Sequence, residues 1–61
     1  MEVRVNQIVR GQVCGVFVVL GLFTASDDVT PMAVLKCVNP DNLSETSPGE
    51  LHLTVGCLRA Y

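Results

Sequence analysis

The sequence predicts an all-β domain of five strands, with a single tight turn before the last. Three observations carry that expectation. The run Val13-Cys14-Gly15-Val16-Phe17-Val18-Val19-Leu20-Gly21-Leu22-Phe23 holds no charge and is dominated by β-branched and aromatic residues, which suit a pleated strand better than a helix. Glu50-Leu51-His52-Leu53-Thr54-Val55 alternates polar and apolar residues, the period of a half-buried strand. Between such stretches lie clusters of Asn, Asp, Ser, Gly and Pro, the residues that close turns.

The first strand is expected from Val3 to Gly11. Val3 and Val5 point inward, Arg4 and Asn6 face water, and Ile8 and Val9 carry the strand on to Arg10-Gly11. The apolar run is the second strand, and two rivals for it fail. As a secretion signal it has Arg4 and Arg10 before it and Phe23-Thr24-Ala25 as a cleavage site, but Glu2 spoils the positive start and Phe23 is bulky where a small residue is wanted. As a membrane helix it falls short of the roughly 20 apolar residues that spanning requires. A strand with one wet face should alternate. This one does not, so it either bends across two sheets of a small barrel or is covered by another copy of the chain.

Thr24 to Pro31 is a polar connection in which Asp27 and Asp28 solvate the turn. Met32 to Val38 is the third strand. Lys36 sets its register, because a lone lysine faces water; Ala33, Leu35 and Cys37 then point in, and Val34 and Val38 lie outside. Asn39-Pro40-Asp41-Asn42 has type I turn chemistry, and the loop runs on through Gly49. Asn42-Leu43-Ser44 matches a glycosylation acceptor, which matters only on a secreted protein.

Leu51, Leu53 and Val55 then form the inward face of the fourth strand. A helical rival rests on Ser47-Pro48-Gly49-Glu50 as a capping box, with Leu51, Val55 and Leu58 at helical spacing. Gly56 and the β-branched Thr54 and Val55 weaken it. Gly56-Cys57-Leu58 fits a single tight turn, and Arg59-Ala60-Tyr61 the last strand.

A chain of 61 residues makes one domain, residues 1–61, and buries only about 60% of the surface its unfolded form exposes. Such small domains lean on disulfides, a metal or oligomerisation. Cys14, Cys37 and Cys57 are odd in number and read as reduced, buried thiols of a cytoplasmic protein. Cys14, Cys37, His52 and Cys57 are zinc-ligand types, yet no C-x₂₋₄-C pair occurs among them. No metal, cofactor or membrane partner is expected. Oligomerisation is the remaining helper.

The order of strands, with a single turn before the last, resembles the SH3-like small barrel. The likeness is strongest in the tail Leu51-His52-Leu53-Thr54-Val55-Gly56-Cys57-Leu58-Arg59-Ala60-Tyr61. In that fold a fourth strand enters a one-turn 3-10 helix and a leucine or valine plugs the barrel, a role the resemblance gives to Leu58. Within the fold, this tail is similar to the type II, plasmid-borne dihydrofolate reductases, barrels that assemble around a shared pore. Their catalytic strand carries Gln-Ile-Tyr where this chain has Leu51, His52 and Leu53, so the resemblance does not bring the reductase activity with it.

Three functions follow as expectations. The first is a non-enzymatic binding module that self-associates into a homo-oligomer of two or more copies. It uses the apolar strand faces carrying Val16, Val18, Leu20, Leu22, Val34 and Val38, and leaves its loops free for a protein partner. The second is nucleic-acid binding, as in SH3-like barrels of the KOW and Sm-like kinds, with Arg4, Lys36, His52, Arg59 and Tyr61 as the ligand surface. A formal net charge of −2 and only three aromatic residues weigh against it, since such affinity comes from phosphate neutralisation and base stacking. The third is an enzyme with His52 as base, oriented by Glu50 or Thr54; a lone outward histidine is usually only surface.

Overall fold

The computed structural model describes residues 2–61. Its elements are β1 (Ile8–Gly11), β2 (Val16–Thr24), β3 (Pro31–Asn39), β4 (Asn42–Thr46), β5 (Leu51–Thr54), a 3-10 turn (Val55–Cys57) and β6 (Leu58–Ala60). The fold is all-β. All neighbouring strands pair antiparallel, in the order β4-β3-β2-β1-β6, with β5 on β3. Against the expectation of a five-stranded small barrel, six strands form a sheet that is not closed. The outer edges of β5 and β6 pair with no further strand among the described residues.

The additional strand is β4. Asn39 and Asn42 face each other across the Pro40-Asp41 turn, and the Asn39 side-chain oxygen accepts a bond from the Asp41 amide at 2.9 Å. The expected turn is therefore present, but the chain then pairs back along β3 instead of continuing as loop. All five residues of β4 are exposed. A strand wet on both faces has no apolar period to reveal it.

The first strand is shorter than expected. Val5 and Asn6 form a turn, with Asn6 at φ 71°, a left-handed conformation that Asn tolerates better than most residues. The Gln7 side-chain oxygen accepts from the Arg4 amide at 2.8 Å, so residues 4–7 close on themselves. Val3 reaches the core, but Val5 is half exposed, contrary to its inward assignment.

The apolar run also starts late. Gln12 to Cys14 bend, and Val13 is 94% exposed; the strand begins at Val16. Gly15 takes φ 94° so that its carbonyl accepts from the Gly11 amide at 2.9 Å, which closes the connection from β1 into β2.

One face of the sheet holds the core: Val9, Phe17, Val19, Ala33, Leu35 and Leu58, joined by Val3, with Leu51, Leu53 and Val55 packed against them. Paired residues of an antiparallel ladder share a face, and the register agrees: Val9 faces Phe17, Val19 faces Leu35, Ala33 faces Leu53 and Gly11 faces Leu58. Leu58 follows the 3-10 turn and is 3% exposed. Residues 51–54 are extended, so the helical rival is overturned; Gly56 and the β-branched pair favour strand and tight turn.

Candidate interaction surface

The opposite face of the same sheet is built mainly from apolar side chains. Its rows follow from the ladder. Arg59 and Arg10 stand opposite each other, and Arg10 is opposite Val16. Ile8, Val18 and Lys36 make the next row, then Gly21, Val34 and His52, then Phe23, Met32 and Thr54. Ile8, Val16, Val18, Met32 and Val34 are half-buried, and Leu20 and Phe23 are more open, at 39% and 40% exposed. His52 lies over this face, its ring edge-on to Phe23 with centroids 5.2 Å apart.

A bulge decides which residues belong here. Val19 pairs with Leu35, but Gly21 pairs with Val34, so β2 carries one extra residue at Leu20. Such an insertion shifts the alternation beyond it by one. Val16, Val18 and Leu20 accordingly lie on the outer face with Val34, as the sequence suggests. Leu22 lies across the sheet, opposite Ala33, and Phe23 takes its place. Val38 is on the outer side of β3, where it pairs with Thr46 of β4, but it is 5% exposed and so not available on the surface. Ile8, Phe23, Met32 and Arg10 join the face without having been singled out; only the bulge brings Phe23 into it, and no period in the sequence marks a bulge.

The five residues expected to form a ligand surface are dispersed. The Arg4 guanidinium lies 3.4 Å from Glu2, both exposed. Arg59 turns its guanidinium back on the Gly56 and Leu58 carbonyls at 2.8 Å each, and Tyr61 extends beyond β6, exposed. Lys36 and His52 stand among the apolar residues of the outer face. A groove of about 280 Å³ between the 3-10 turn and β6 is lined by Val55, Gly56, Leu58, Arg59 and Ala60. It is small against the ~300–1,000 Å³ usual for ligand pockets, and Arg59 is its one charged residue.

The three thiols are free. Cys14 and Cys37 are exposed, which corrects their assignment to the interior: Cys14 sits in the bend before β2, and Cys37 lies near the end of β3, past the fully buried Leu35. Cys57 is half-buried and its sulfur accepts from the Thr54 hydroxyl at 3.0 Å. Among the described residues no three His, Cys, Asp or Glu side chains gather as a metal group, and no helix is long and apolar enough to cross a membrane.

No family model matches the chain, no curated protein matches it, and no solved structure matches its fold.

Proposed function

We propose that this chain is a non-enzymatic binding module that self-associates through the outer face of β2 and β3. The single observation that carries the reading is the two-sidedness of those strands. One face is packed as core, and the other presents Ile8, Val16, Val18, Leu20, Phe23, Met32 and Val34 contiguously. A contiguous apolar patch on a small soluble domain marks an interaction site, and a second copy is the partner that also relieves the thin core of a chain this size.

The architecture we propose for the module is an SH3-like small barrel left open between β5 and β6, with β4 as an inserted hairpin strand. Its support is the 3-10 turn set between the last two strands, the buried Leu58 that follows it, and the return of β6 to pair with β1. The nucleic-acid reading has weaker support, because Arg4 is ion-paired, the formal net charge is −2 and aromatic residues number only three.

Light scattering over a dilution series tests the function. Self-association appears as an apparent mass of two or more copies that falls toward 6.6 kDa on dilution. A mass of one chain at every concentration overturns the reading. Salt-sensitive binding of mixed-sequence oligonucleotides in place of self-association supports the nucleic-acid alternative.

A further inference from the structure

We infer that the second copy lies antiparallel on the outer face, related by a two-fold axis, with the arginine end of one chain set against the acidic tip of the other. The inference rests on the proposed self-association and adds its geometry.

The two ends of β2 differ in charge. At the start of β2, Arg10 and Arg59 are cross-strand partners, and neither is in an ion pair; among the described residues the one ion pair is Arg4 with Glu2. Like charges directly opposite in a ladder are destabilising. The side chains are drawn off to carbonyls, Arg10 to Ala60 at 3.0 Å and Arg59 to Gly56 and Leu58, which satisfies donors but leaves two positive charges uncompensated.

At the far end of β2, the turn into β3 carries Asp27 and Asp28. Asp27 is occupied by its own turn, accepting from Val29 and Thr30. Asp28 takes part in the turn only through its backbone amide, which donates to Ala25. The nine residues of β2 separate the two ends by about 30 Å at ~3.3 Å per residue. Between them runs the apolar stripe.

A two-fold interface brings patch i of one chain onto patch j of the other, and j onto i. Two outer faces stacked antiparallel therefore cover both stripes and form two equivalent clusters, each joining Arg10 and Arg59 of one copy to Asp28 of the other. A parallel stack sets arginines on arginines and acids on acids. Lys36 stands within the stripe opposite Val18, and a lysine there can lay its methylene stem on apolar surface while its ammonium reaches water at the rim.

The test is a charge swap on the full chain, read by sedimentation over a dilution series. Asp28→Lys alone, and Arg10→Glu alone, each weaken self-association by about tenfold at low salt, a typical size for charge pairs at an interface. The equimolar mixture of the two variants associates more tightly than either variant alone, because in the mixed dimer one cluster is native and in the other the two swapped charges face each other beside the unchanged Arg59. Circular dichroism checks that each variant is folded; should Arg10→Glu lose β6, the Asp28→Lys measurement still decides. Wild-type association that is indifferent to Asp28→Lys, or a mixture no tighter than either variant alone, overturns the antiparallel arrangement while leaving self-association intact. A wild-type chain that is monomeric throughout overturns both.

Discussion

Leu22 stands opposite Ala33 and thus on the core side of the sheet, whereas its neighbour Phe23 stands opposite Met32 on the outer side. Both are substantially exposed, at 47% and 40%, because the β2–β3 hairpin extends past the packed core. Exposure alone does not tell them apart; register does. Phe23→Ser is expected to weaken self-association by tenfold or more, since burying an aromatic side chain contributes about 1.5–3 kcal/mol. Leu22→Ser is expected to change it by less than about threefold, the outer face being left whole. A dilution series on both variants decides, and equal losses would place the interface elsewhere.

Leu35 is fully buried at the middle of β3, between Val19 on one side and Leu51 on the other. Truncating such a leucine costs about 2–5 kcal/mol. A domain of this size has about 3–9 kcal/mol in total, at 0.05–0.15 kcal/mol per residue. Leu35→Ala is therefore expected to remove a large part of the stability, and to unfold the chain outright where the total lies at the low end of that range. Val13→Ala, at a 94% exposed position, is expected to move stability by less than about 0.5 kcal/mol. Urea titrations followed by circular dichroism compare them, and a Leu35→Ala protein that loses no more stability than Val13→Ala would contradict the packing described.

Gly15 is constrained twice. Its φ of 94° lies in the region that only glycine enters freely, and a β-carbon there would stand 2.8 Å from the Phe17 ring. Phe17 is itself a core residue at 6% exposure, so the ring has little room to withdraw. Gly15→Ala is expected to destabilise by more than about 1 kcal/mol. Gly56→Ala, where an added β-carbon meets nothing, is the control. Thermal melts of equal midpoint for the two variants would remove the argument.

These positions also show how far the sequence is readable. The third strand declares itself through Lys36, which faces away from Ala33 and Leu35 as a lone lysine should, and the tail through Leu51, Leu53 and Leu58, whose spacing encodes strand then tight turn. Features outside simple alternation are not written in that code. The extra residue at Leu20 changes the face of everything after it, yet Val18-Val19-Leu20-Gly21-Leu22 is apolar on both parities, so no polar residue betrays the slip. The β4 strand contacts water on both sides and carries no apolar signal. Val3-Arg4-Val5-Asn6 alternates but turns, because the Arg4–Gln7 closure and the left-handed Asn6 outweigh the pattern. For the outer face, composition announced that a surplus of apolar surface exists, while its membership waited on the bulge.

Asp27 supplies a prediction about acid. Its carboxylate accepts from the Thr30 hydroxyl at 2.6 Å and from the Thr30 and Val29 amides at 2.9 and 3.0 Å. These bonds, the Thr30 hydroxyl foremost, favour the charged form and lower its pKa to about 2, against about 3.9 in an unfolded chain. A carboxylate depressed on folding contributes stability in full above the unfolded value and loses it as pH falls through the folded one. The stabilisation from Asp27 is thus intact at neutral pH and disappears between about pH 4 and pH 2. Asp27→Ala removes the turn's acceptor and should lower the melting temperature at pH 7, with the gap from wild type narrowing across that acid window. Taking the difference cancels the titration of the other carboxylates, which both proteins share. A gap that stays constant from pH 7 to pH 2 would mean that the turn is not held by the ionised carboxylate.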